Sequence, residues 1–174
     1  MGIMELLGLR DSSDQPSVGA NGEIGEIDEV VAALETLDKE RAHYLAHVSF
    51  LLSRVAHADL DISAEERRRI ETILIDAGGL NYQEAKMVAE IACSRTILQA
   101  GTADHRITRG FKELTTKQQR LSLLHCLFAV SAADKDISVD EDNEIRRISM
   151  ELDLEHDDFI KARAPFRESL AVLK

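Results

Sequence analysis

The chain has 174 residues, 44% of them hydrophobic and 30% charged, enough for one domain with a sizeable core. Its 21 Lys and Arg against 32 Asp and Glu give a net charge of −11. That balance excludes a nucleic-acid binder, which needs a basic footprint, and suits a cation or a basic partner.

Aromatic residues make up 4% and Trp is absent, so the core must come mainly from Leu, Ile, Val and Ala. Pro16 and Pro165 are the two prolines, which leaves nearly the whole length free for helices. Cys93 and Cys126 lie far apart without a CxxC spacing, so neither a disulfide framework nor a zinc site is expected. The first residues, MGIMELLGLR, are too short and too acidic for a secretory signal, and no apolar run approaches the roughly 20 residues of a membrane span. These features predict a cytoplasmic protein with no transmembrane segment.

In chain order, residues 1–26 read as a flexible N-terminal arm, and residues 27–174 as a helical domain. The arm has an apolar tip (Ile3, Leu6, Leu7, Leu9), able to dock on the body, a partner or a membrane, followed by a Gly-, Ser- and Asp-rich linker. Val30, Val31, Leu34 and Leu37 predict a short helix. Tyr44, Leu45, Val48, Leu51, Leu52 and Val55 mark one apolar face of a long helix that stops near Asp59. A further helix follows Ser63, with Ile70, Ile73 and Leu74 inward, and Gly78-Gly79 ends it.

Asn81 with Glu84 forms a capping-box pair, opening a helix expected to end near Gly101. Thr102 to Arg106 reads as loop and Thr108 to Leu114 as a short helix. Thr115 with Gln118 forms another capping-box pattern. The run from Leu121 to Val130 is apolar on nearly every side and predicts the central buried helix. A helix through Ile145, Ile148 and Leu152 follows. The last helix carries Phe159, Phe166 and Leu170, with Pro165 marking a kink or a break.

The strongest signal is an internal repeat. ADLDISAEE (Ala58 to Glu66) returns as ADKDISVDE (Ala133 to Glu141) at an offset of 134 − 59 = 75 residues, and Leu52/Leu127, Val55/Val130 and Ile70/Ile145 match around it. Two helix–acidic turn–helix units are implied. Ser63 with Glu66, and Ser138 with Glu141, are capping boxes, and Ile62 and Ile137 sit where a hydrophobic staple belongs. Asp59, Asp61, Asp134 and Asp136 need another account. Asp59 and Asp134 fall at a helix C-terminus, where a carboxylate costs roughly 0.3–1 kcal/mol. Two readings fit: the aspartates bond to turn N–H groups, or they hold a cation.

Hard oxygen ligands would select Ca²⁺, Mg²⁺ or Mn²⁺. An EF-hand loop does not fit. With Asp59 first, Ile70 stands at position 12, where Glu is required, and Ala64 at position 6, where Gly is required. Ile145 and Val139 fail in the same way in the second copy. His43 and His47 share a helix face, but His57 lies about 15 Å further along, too far to join them. Arg67, Arg68 and Arg69 form a basic run that offsets local acid or meets an acidic partner. Asp104-His105 is a lone dyad. No phosphate loop, HExxH or GxSxG motif is present, so no enzymatic activity is expected.

RAHYLAHVSFLLSRVAHADLDISAEE and LHCLFAVSAADKDISVDEDNEIRRI resemble the TerB-like family, named for tellurite resistance, over about residues 40–174. The resemblance implies an all-α compact bundle of about seven to eight helices with two pseudo-symmetric units. It also implies divalent-metal binding through Asp59, Asp61 and Glu66, and through Asp134, Asp136 and Glu141. A stress-response role beside protein partners, often membrane-associated, is implied as well. A related helical region occurs in membrane-anchored J-domain co-chaperones, but this chain has no His-Pro-Asp tripeptide and so no J domain. The expected function is a non-enzymatic, cation-binding module that docks protein partners. The alternative is a metal-independent helical scaffold.

Overall fold

A computed structural model describes residues 3–7, 21–56, 63–94, 104–134 and 136–173. The elements are α1 (Ile3–Leu6), α2 (Asn21–Glu35), α3 (Lys39–Ala56), α4 (Ala64–Asp76), α5 (Tyr82–Ala92), α6 (Asp104–Leu114), α7 (Lys117–Ser131), α8 (Val139–Glu151) and α9 (His156–Arg163). Short 3₁₀ segments cover Ala132–Asp134, Ala164–Ser169 and Ala171–Leu173. The described residues contain no β-strand, only one isolated parallel bridge between Ile137 and Leu170. The chain is all-α, as its sequence predicts.

α3 and α7 form the centre. In α7 no residue from Leu121 to Ser131 is exposed, as its all-round apolar pattern predicts. α3 goes further than its pattern suggests: residues 45–53 are buried on every side, not along one face. Its polar members are satisfied by their own helix, which makes that burial affordable. Ser49 Oγ donates to the Leu45 carbonyl (2.8 Å), Ser53 Oγ to the Phe50 carbonyl (2.7 Å), and His47 Nδ1 lies 2.5 Å from the His43 carbonyl.

α1, α2, α5, α6 and α8 pack around α3, while α4, α8 and α9 pack around α7. The α4–α5 turn needs both its glycines. Gly79 has φ +66°, and a side chain at Gly78 would strike the Leu74 carbonyl. Pro165 breaks the last helix, which ends at Arg163 and continues as 3₁₀ turns.

Several boundaries differ from the sequence reading. α2 starts at Asn21, inside the stretch expected to be arm, and Ile3, Leu6 and Leu7 are buried in the core. α6 starts at Asp104, so Asp104 and His105 are helical and not in a loop. α5 gives way at Cys93, and the end expected near Gly101 lies outside the described residues. The capping box before α7 is Thr116 with Gln119, not Thr115 with Gln118.

Candidate cation-binding turns

Each acidic turn follows a central helix and leads into a capped one. α7 ends at Ser131, capped at Ala132, and α3 is helical as far as Ala56, the last described residue before the first turn. α4 spans Ala64–Asp76 and α8 spans Val139–Glu151, shifted by 75 at both ends. The two units are thus pseudo-symmetric in structure as well as in sequence.

Both capping boxes form. The Ser63 N–H donates to Glu66 Oε2 (2.6 Å), and the Glu66 N–H donates to Ser63 Oγ (3.2 Å). The Ser138 N–H and Oγ donate to Glu141 Oε2 (2.8 and 2.7 Å), and the Glu141 N–H donates to Ser138 Oγ (3.2 Å). The Ser63 hydrogen bonds hold the Glu66 carboxyl below its ordinary range, with Arg69 adding to the effect. One oxygen of each glutamate is thereby committed to a helix end.

The aspartates are placed less completely. Asp59 and Asp61 lie outside the described residues. Asp134 closes the 3₁₀ turn after α7, and Asp136 is exposed just before the cap. Among the described residues no group of three or more His, Cys, Asp or Glu side chains is gathered for a metal ion. Ile137 is more than a staple. It is fully buried, its N–H donates to the Ser169 carbonyl (2.6 Å), and its carbonyl accepts from the Ala171 N–H (2.9 Å). The C-terminal segment therefore pins the second turn.

The basic run splits three ways. Arg69 Nη1 donates to the Ala133 carbonyl (3.4 Å) and Nη2 approaches Glu65 (3.7 Å), so the first unit places a guanidinium against the second unit's turn. Arg68 is exposed and Arg67 is half-buried, turned toward α5.

The histidine pair offers no metal site. His47 is buried, and a methyl group at Gly110 would sit 2.6 Å from its Nε2, so α6 closes directly over the ring. Burial holds both His47 and His43 below the usual imidazole range, with Lys39 adding to the effect at His43. The Asp104 and His105 side chains lie outside the described residues.

The sequence reading missed a buried ionic network. Arg54 in α3 reaches Glu144 (Nη2–Oε1 2.7 Å) and Glu151 (Nη1–Oε2 2.7 Å), both on α8, and Thr108 Oγ1 on α6 donates to Glu151 (3.0 Å). The signal was present: Glu144 and Glu151 are seven apart, hence on one helix face. A second bidentate pair, Arg41 with Glu84 (2.7 Å for both bonds), joins α3 to the first turn of α5.

A family model described as tellurite resistance protein TerB matches residues 45–164. The chain belongs to the TerB family. No curated protein and no solved structure matches it. The TerB match runs from α3 into the segment after α9, so both acidic turns and the Arg54 network lie within it. α1 and α2 lie outside the TerB span, although both pack on α3. Among the described residues no helix is long and apolar enough to cross a membrane.

Proposed function

We propose that this TerB-family chain is a non-catalytic, cytoplasmic stress-response module that binds a divalent cation at its acidic turns and docks a protein partner, one associated with a membrane. The observation that carries this reading is the recurrence of two aspartates per unit at positions the caps do not explain. Serine and glutamate cap the following helix at both turns and Ile137 is buried at the second, but one aspartate of each pair, Asp59 and Asp134, recurs in the sequence just after a helix, where a carboxylate is unfavourable. Asp59 and Asp61 serve one turn, and Asp134 and Asp136 the other. Glu66 and Glu141 contribute at most the oxygen that their caps leave over. Ca²⁺, Mg²⁺ and Mn²⁺ are the ions suited to such oxygen donors.

A second reading, a metal-independent scaffold, is favoured by a specific observation. Arg69 already sits against the second turn's Ala133 carbonyl, supplying positive charge without an ion. Thermal unfolding of metal-stripped protein, with and without each cation at fixed ionic strength, separates the two. A cation at 100 times its dissociation constant adds about 2.7 kcal/mol, visible as a raised Tm. The cation reading requires that Asp59→Asn with Asp134→Asn abolishes the rise. An unchanged Tm with every cation leaves the scaffold.

A further inference from the structure

α6 meets the central helix α3 at a side chain it cannot serve. His47 of α3 is 2% exposed, and its Nδ1 lies 2.5 Å from the His43 carbonyl. A carbonyl only accepts, so Nδ1 carries the ring proton and Nε2 keeps its lone pair. That Nε2 is fully buried and has no hydrogen-bond partner. Gly110 of α6 covers it: a methyl group there would sit 2.6 Å from Nε2 and 3.5 Å from Cε1. The missing side chain at position 110 is what lets the two helices close. Phe111 completes the contact, its ring centroid 6.1 Å from that of His47 and 5.6 Å from that of Tyr44.

This fit suits only the neutral ring. A second proton has to go on Nε2, where it would point at Gly110 with neither an acceptor nor water to receive it. The described charges on the surrounding helices are engaged elsewhere. On α6, Arg109 pairs with Glu113 and Lys112 with Asp153. Arg41 of α3 is bound to Glu84 of α5, and Arg54 of α3 to Glu144 and Glu151 of α8. Lys86 and Glu90 of α5 face each other, and Asp28, Glu29 and Glu35 of α2 are exposed. On α7, Lys117 pairs with Asp158, Arg120 donates to the Leu152 carbonyl, and His125 packs on Phe166. Among the described residues His43 is the titratable group that acts on His47, and as a like charge it disfavours the second proton further. The side chains of Glu5 on α1, and of Asp104, His105 and Arg106 in the first turn of α6, lie outside the described residues.

We propose that the His47–Gly110 contact is an acid-operated latch: protonation of His47 releases α6 from α3 and uncovers the Tyr44, His47 and Phe111 rings while the rest of the bundle stays folded. α6 gives way because it is the element lying on Nε2. α3 itself is enclosed over residues 45–53 and cannot turn the ring to solvent without breaking the core. α6 holds on mainly through Ile107, Thr108 and Phe111, and its 11 residues are too few to persist as an isolated helix in water. The opened ring titrates near the ordinary 6.5, the closed one below it because of burial. Closure is therefore complete above about pH 6.5, and each pH unit below that weakens it about tenfold until the closed ring itself takes up the proton. The latch involves neither acidic turn, so it stands independently of the cation reading.

Amide hydrogen exchange of the full chain at about pH 7.5 and about pH 5.5, corrected for intrinsic rates, tests this, with peptides from α6 compared with peptides from α7. Protection in α6 is expected to lie at least about tenfold below that in α7, and to fall about tenfold further at the lower pH. Low urea should leave α6 protection nearly unchanged while lowering that of α7, because a local opening exposes little surface. Equal protection and equal urea response in the two helices would show that the ring meets water only on global unfolding, and would overturn the proposal. So would α6 protection that is the same at both pH values. His47→Gln should remove the pH response of α6, and His43→Gln should keep most of it. A response that survives the first substitution or vanishes with the second belongs to another group and refutes the latch. Gly110→Ala, which sets a methyl group against the ring, should lower α6 protection already at the higher pH and carries the test if His47→Gln does not fold. Parent-like protection in that variant would show that α6 does not close on His47.

Discussion

At the scale of single residues, the decisive side chains are charged or polar groups that an apolar pattern hides. Arg54 stands among buried apolar neighbours on α3, and its partners on α8, with the Thr108 hydroxyl on α6, make that place tolerable. Its side chain is 7% exposed and that of Glu151 is 13% exposed, so water can replace little of what either would lose. Arg54→Ala leaves two partly buried carboxylates facing each other and should cost about 3–5 kcal/mol in urea unfolding. Converting Arg54, Glu144 and Glu151 together to Met should cost much less. A loss below about 1 kcal/mol for the single variant would mean that the network behaves as a surface pair. His47 makes a pH prediction. Its folded value is held below the ordinary 6.5 by burial, so on acidification the unfolded chain takes up the proton first. Stability is therefore fully present above about pH 6.5 and falls with pH until the folded ring itself titrates. His43 acts in the same direction, more weakly placed because it is only half-buried. His47→Gln should flatten most of this slope between pH 6.5 and the onset of carboxylate titration. A slope identical to that of the parent protein would show that His47 is not the titrating group.

At the scale of elements, helix starts were legible wherever a cap and its third residue were unambiguous. Ser63, Asn81 and Ser138 each begin the helix their spacing announces. The Thr115–Thr116 step was not, because both threonines have Gln three residues on. The structure shows why Thr116 wins: the Thr115 hydroxyl donates to the Phe111 carbonyl (2.6 Å) and closes α6, leaving Thr116 to open α7. Ser63→Ala and Ser138→Ala should each cost about 1 kcal/mol, since each removes the acceptor for a helix N–H. The two caps belong to different units, so the double variant should cost close to the sum. Gly79→Ala should cost about 1–2 kcal/mol from backbone strain alone, because nothing lies within 4 Å of the added methyl group. Chemical denaturation reads all four variants, and a neutral Gly79→Ala would show that the turn relaxes to negative φ.

At the scale of the whole molecule, the 75-residue repeat organises the packing but not the charge. α4 and α8 start and stop in register, yet Arg67 and Arg69 on the first correspond to Asp142 and Glu144 on the second. The apolar repeat was legible because the core reads only hydrophobicity and spacing. The ionic partners were not, because they come from α3 and α9, and no local pattern encodes which distant helix will face a given charge. The N-terminal tip shows the same limit. Its apolar residues were visible, but their destination depends on a surface that exists only after α2 and α3 have packed. Leu6 and Leu7 are essentially inaccessible to solvent there. If that docking holds in solution, Leu7→Ala should cost about 2–5 kcal/mol, as for a core leucine elsewhere in a protein. A tip that frays freely would instead give a change within about 0.5 kcal/mol, the range of an exposed position. Urea unfolding of Leu7→Ala beside Leu124→Ala, a leucine of the central α7 with no exposed surface, makes the comparison internal to one molecule. Similar losses would establish that the folded body of this protein starts at its first helix.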